Sequence, residues 1–127
     1  MEESKKIFLI EDDTDILNLY QRVLRDEGFE VCLNSDGSNV IEQALEFKPD
    51  LIVLDILLPK ISGFDLLQAV KANTSLSNIP VFILTNVAEE VSLKKALDLG
   101  AHEYLTKAEY TPQEIIDHIK QHFREHQ

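Results

Sequence analysis

Four short apolar runs each stop at a polar residue suited to phosphoryl chemistry. Ile7-Phe8-Leu9-Ile10 ends in Glu11-Asp12, and Leu51-Ile52-Val53-Leu54 ends in Asp55. Val81-Phe82-Ile83-Leu84 ends in Thr85, and Tyr104-Leu105-Thr106 ends in Lys107. If the runs are parallel strands of one sheet, these residues meet at its carboxyl edge, where open α/β sheets place their ligands. Carboxylate oxygens suit a hard divalent cation. A carboxylate whose charge is offset can act as a nucleophile towards phosphorus, and a hydroxyl and an ammonium can receive the phosphoryl oxygens. The set points to a divalent cation beside a phosphorylated carboxylate.

The elements needed to bring these residues together can be read in the chain. Lys6–Ile10 reads as a strand. Ile16, Leu17, Leu19, Tyr20, Val23 and Leu24 then recur at helical spacing, with Gly28 as the stop. Residues 30–33 form a weaker strand, and Val40, Ile41, Ala44, Leu45 and Phe47 a helix that ends before Pro49. Leu51–Leu54 is continuously apolar, as a strand covered on both faces should be. Helices are predicted over 64–72, 91–99 and 113–123, with strands after Pro80 and over Glu103–Thr106. Thr111 and Pro112 are an N-cap and first helical residue for the last helix. Five strand–helix units without a linker predict a parallel sheet with helices on both faces.

Composition narrows the function. The chain has 127 residues, 44% of them hydrophobic, which suits one folded domain rather than a disordered segment. Its apolar runs are too short to cross a bilayer, and no signal-type region follows the polar start, so a soluble, cytoplasmic protein is expected. The single Cys32 sits in a strand and reads as a buried, inert thiol. A net charge of −11 argues against nucleic acid or anionic membrane as partners of this domain, since both need clustered Lys and Arg. A metal ion or a protein with a basic rim fits better.

In these residues the chain resembles a response-regulator receiver domain of two-component signalling. The match rests on Phe8-Leu9-Ile10-Glu11-Asp12-Asp13, on Leu54-Asp55-Ile56-Leu57-Leu58-Pro59 with Ser62-Gly63, on Leu84-Thr85, and on Gly100-Ala101-His102-Glu103-Tyr104-Leu105-Thr106-Lys107. The resemblance implies a flavodoxin-like (βα)5 fold with strand order 2-1-3-4-5, and one receiver domain over 1–127 with no output domain in this chain. It implies Asp55 as phosphoacceptor, taking the group from a phosphohistidine of a sensor histidine kinase or histidine phosphotransfer protein. It implies Mg²⁺ bound by Asp12 directly, by Glu11 mainly through water, by Asp55 and by the backbone carbonyl of Leu57. Lys107 and Thr85 would hold phosphoryl oxygens. Thr85 and Tyr104 would be the moving residues, and the face of helix four, strand five and helix five would meet a downstream protein. Such a domain catalyses only its own phosphorylation and dephosphorylation.

Each of these residues has a plainer role available. Asp13 and Asp15 are expected only to favour the start of helix one. His118, His122 and His126 recur at four-residue spacing, but a solvated helix face is expected there rather than a metal site, and His102 has no assigned role. The pattern also departs from the family. Leu58 stands where Met is usual, and Leu57 and Val87 are apolar at positions that tune water access, which implies slow phosphate loss. Ala108 replaces the usual cis-Pro after Lys107, so a trans bond is expected. His102 replaces an acidic residue common in receivers joined to winged-helix domains. Two rivals remain at this level. An aspartyl-phosphate-forming phosphatase would begin with Asp-x-Asp, where this chain has Glu11-Asp12-Asp13; a flavin-binding module would need a phosphate loop in the place of those acids.

Overall fold

The computed structural model describes residues 4–126, so the first three residues of the polar start fall outside the described part. Strands and helices alternate: β1 Lys6–Ile10, α1 Thr14–Asp26, β2 Glu30–Asn34, α2 Val40–Phe47, β3 Leu51–Leu54, α3 Gly63–Ala72, β4 Val81–Thr85, α4 Glu90–Asp98, β5 Glu103–Thr106 and α5 Pro112–Glu125. The sheet is parallel throughout, in the order β2-β1-β3-β4-β5. The sequence placed every element; the differences are one or two residues at the ends, where β2 gains Asn34 and α5 begins at Pro112 and runs to Glu125.

Alternation along the strands builds two cores. Phe8 and Ile10 of β1, Ile52 and Leu54 of β3 and Ile83 of β4 face the helices α2, α3 and α4, whose Ala44, Leu67 and Ala96 are buried. Ile7, Leu9, Val53, Phe82 and Leu84 face α1 and α5, meeting Leu17, Leu24, Ile115 and Ile119. Both faces of the central strands are therefore dry. Each fully buried Leu, Ile or Phe contributes about 1.5–3 kcal/mol relative to an exposed one. That burial fixes where the strand ends stand. None of the described helices is long and apolar enough to cross a membrane.

The caps set how the chain leaves the sheet. Asp13 Oδ1 accepts from the amides of Asp15 at 3.0 Å and Ile16 at 3.2 Å, so it is the N-cap of α1, as expected. Thr111 and Glu114 form a reciprocal capping box at the start of α5. Gly63 lies so close to the chain leaving β3 that a Cβ there would collide with the Asp55 carbonyl oxygen and Ile56 Cα. Its amide donates to the Ile56 carbonyl at 2.8 Å, clamping the start of α3 under the loop that carries Asp55.

Candidate functional site

The carboxyl ends of β1, β3, β4 and β5 bring their polar residues into one acidic cluster. Register brings them there: Ile10 pairs with Leu54, Leu54 with Ile83, and Thr85 with Thr106. The next residues along β1, β3 and β5 are Glu11, Asp55 and Lys107. Glu11 (3% exposed), Asp55 (6%) and Thr85 (0%) are buried, whereas Asp12 is exposed. Carboxylate oxygens of Glu11, Asp12 and Asp55 all lie within 4.8 Å of one another.

Lys107 spans this group. Its Nζ lies 3.1 Å from Asp55 Oδ2 and also donates to Glu11 Oε1. The other Asp55 oxygen, Oδ1, accepts from the Leu57 amide at 3.1 Å. Both Asp55 oxygens are therefore oriented, and the charge of the side chain is offset from two directions. Among the described residues no peptide bond is cis, so Lys107–Ala108 is trans and the flexible stem of the Lys makes the reach.

Glu11 stands in the cluster as the resemblance implies, and the structure adds that it is buried against Lys107. Burial raises its carboxyl to about 7, opposed by the hydrogen bond from Lys107 and reinforced by the nearby charge of Asp55. For Lys107 burial works downwards, but the Glu11 hydrogen bond and the charges of Asp55 and Glu11 outweigh it and hold the ammonium above its ordinary value. Lys107 is thus a cation throughout the neutral range.

Thr85 and Tyr104 reach the loop after β4. Thr85 Oγ1 accepts from the Val87 amide at 3.3 Å, and the Thr85 carbonyl accepts from the Lys107 amide at 2.8 Å. Tyr104 is half-buried, with its hydroxyl donating to the Val87 carbonyl. Leu57, by contrast, stands out from the loop with 58% exposure.

The site has a neighbour that the sequence reading missed. Asn34, buried at the end of β2, accepts from the Glu11 amide through its carbonyl at 3.0 Å. Its Oδ1 accepts from the Gly37 amide at 2.7 Å and its Nδ2 donates to the Ser38 carbonyl at 2.7 Å. It therefore holds the β2–α2 turn beside Glu11. A polar residue closing a weak strand was the available signal.

The model of the response regulator receiver domain family matches residues 7–120. The chain belongs to that family. A curated relative, the alkaline phosphatase synthesis transcriptional regulatory protein PhoP of Bacillus subtilis, is 35% identical over 92% of this chain and 48% of its own length. The chain spans about half the length of the curated relatives it matches. A CheY-like receiver domain from Methanospirillum hungatei superposes with a TM-score of 0.87 at 25% identity, covering 96% of this chain and 95% of that one. The BeF3-activated N-terminal receiver domain of RstA from Klebsiella pneumoniae gives 0.86 at 27% identity, covering 94% and 99%. This receiver domain therefore has the three-layer fold of its family, and its motif residues stand together at the carboxyl edge of the sheet.

The histidines depart from expectation. His118 turns away, with Nδ1 3.0 Å from Glu103 Oε1. His122 is buried rather than solvated, and His102 joins it and His126 at the opposite end of the sheet. Cys32 is half-buried rather than buried, but burial still raises its thiol, so it remains a poor nucleophile.

Proposed function

We propose that this receiver domain is a phosphoacceptor switch in which Asp55 takes a phosphoryl group from a phosphohistidine of a sensor histidine kinase or a histidine phosphotransfer protein. The observation that carries the reading is the environment of Asp55: a buried carboxylate at a strand end, oriented through both oxygens by the Leu57 amide and Lys107. An oxygen of Asp55 attacks phosphorus, the phosphorus–nitrogen bond of the donor breaks, and the leaving imidazole keeps the electron pair and takes a proton. Lys107 meets one phosphoryl oxygen, and Thr85 Oγ1 meets another.

The donor set fits Mg²⁺. It is made of hard oxygens from Glu11, Asp12 and Asp55, and it includes no sulfur or imidazole; the Leu57 backbone carbonyl is assigned to the same ion by resemblance to the family. When bound, Mg²⁺ supplies positive charge that offsets the carboxylates and the incoming phosphoryl oxygens. The chain's own part is to hold the carboxylates converged. Lys107, paired with both Glu11 and Asp55, already offsets part of their repulsion.

Output is assigned to the face of α4, β5 and α5. Val91 (78% exposed), Leu93 (38%) and Leu97 (44%) leave apolar side chains on the surface of α4. Tyr104 of β5 ties the start of that face to the site through Val87. Phosphorylation then biases a two-state equilibrium, and a partner protein reads one state. The domain transforms no separate metabolite in this reading, and its place is the cytoplasm.

Incubation with acetyl phosphate and Mg²⁺, followed by intact mass and free-phosphate measurement, tests the proposal. One acid-labile phosphoryl group should stay on each chain. Rapid steady release from several small phosphoesters, with no protein-bound phosphate, would instead support an aspartyl-phosphate-forming phosphatase.

A further inference from the structure

Three imidazoles converge at the amino edge of the sheet, far from the carboxylates. His102 immediately precedes β5, and its amide donates to the Val81 carbonyl at the start of β4 at 2.8 Å. His122 comes from the last turn of α5, and His126 is the C-cap of that helix. One ligand-capable nitrogen from each lies within 4.8 Å of the others. The rings line a cleft of about 370 Å³ together with Lys5, Asp50 and Phe123.

Aromatic packing accounts for part of this cluster. The His102 ring stacks on Phe82 with a centroid distance of 5.7 Å and an interplanar angle of 4°. It does not account for the nitrogens. Among the described residues, His122 Nδ1 is buried and has no hydrogen-bond partner, while its ring is only 7% exposed. A buried polar atom left unmet costs about 1–3 kcal/mol, and contact with a cation removes that cost. His126 points the same way. Its Nδ1 lies 2.8 Å from the His122 carbonyl, which can only accept, so Nδ1 carries the hydrogen and Nε2 keeps its lone pair. A ligating histidine is commonly held in this manner through its other nitrogen.

We propose that His102, His122 and His126 form a binding site for a borderline divalent transition-metal ion, of which Zn²⁺ is the test case. Imidazole nitrogens favour such ions over Mg²⁺, so the two ends of the sheet select different metals. Three protein nitrogens leave a fourth coordination position open to water or an exogenous ligand. At Zn–N distances of about 2.0–2.1 Å, tetrahedral ligands stand about 3.3 Å apart. With all three nitrogens within 4.8 Å of one another, the trio closes by at most about 1.5 Å, and two of its members, His102 and His126, are exposed. The net charge of −11 favours uptake of a cation. An ion here ties the end of α5 to the connection before β5, two elements of the proposed output face.

The test is titration of the whole chain with Zn²⁺ in a buffer holding excess Mg²⁺ to compete for the oxygen site, read by calorimetry and by histidine side-chain ¹⁵N resonances. The expected result is one Zn²⁺ per chain, with the ring nitrogens of His102, His122 and His126 shifting together. His102→Ala and His126→Ala, both at exposed positions, should each weaken Zn²⁺ by at least about tenfold. His118→Ala should leave the affinity unchanged. Equal affinity in the wild type and the His102 and His126 variants, shifts confined to His118, or no Zn²⁺ uptake at micromolar concentration would overturn the site.

Discussion

Tyr104 and Val87 are joined by a hydrogen bond from the phenol to the Val87 carbonyl, and the amide of that same residue donates to Thr85 Oγ1 at 3.3 Å. One peptide segment beyond β4 is thus held by both residues of the proposed switch. If Thr85 Oγ1 turns to a phosphoryl oxygen, the Val87 amide loses its acceptor and the Tyr104 contact loses its support.

In Thr85→Ala, phosphorylation should shift the NMR resonances of Lys107 but leave the Tyr104 ring and the Val87 amide nearly unmoved. Tyr104→Phe should cost about 1 kcal/mol in unfolding free energy, the worth of one hydrogen bond. Full Tyr104 shifts in Thr85→Ala would show that the ring responds by another route.

Asp12 and Asp13 are neighbours with different tasks. Asp12 belongs to the converging carboxylates, whereas Asp13 caps α1. Asp12→Ala should weaken Mg²⁺ strongly with little change in stability. Asp13→Ala should lower stability by about 1 kcal/mol and leave Mg²⁺ affinity nearly intact. Equal Mg²⁺ affinities in a titration of the two variants would contradict the assignment.

Gly63 has no room for a side chain against Asp55 and Ile56. Gly63→Ala should destabilise the domain by about 1–3 kcal/mol through overpacking and slow phosphorylation by moving the Asp55 loop. Denaturant unfolding and acetyl phosphate kinetics measure the two effects, and a variant with wild-type values for both would refute the clamp.

Asp36 contributes to the acid limb. The Ser38 hydroxyl and amide, with Lys60 at 3.1 Å, lower its carboxyl to about 2. The folded value lies below the unfolded one of about 3.9, so this contribution is complete above about pH 4 and is lost as pH falls through about 2. Asp36→Asn should flatten the fall in stability over that window in denaturant titrations; unchanged slopes would remove Asp36 from the account.

The fold was legible because each strand is a compact apolar run closed by a distinct polar residue, as with Leu51–Leu54 before Asp55. The burial of Glu11 against Lys107 was not, because it depends on β1 and β5 converging across β3 and β4. The histidines show a similar limit. Four residues advance a helix by about 40° beyond one full turn, so His118 and His122 on α5 and His126 at its cap lie near one another along the helix, yet their surroundings differ. His118 meets Glu103, His122 enters the core, and only the packing of α5 on the sheet brings in His102.

The central claim is that Asp55 alone receives the phosphoryl group. Intact-mass and peptide-mapping analysis of the wild type and Asp55→Asn, after incubation with acetyl phosphate and Mg²⁺, tests it most directly. The account predicts one acid-labile phosphoryl group on wild-type Asp55 and none on the variant. Stoichiometric phosphate in Asp55→Asn, mapped to Asp12, Asp13 or another carboxylate, would contradict it.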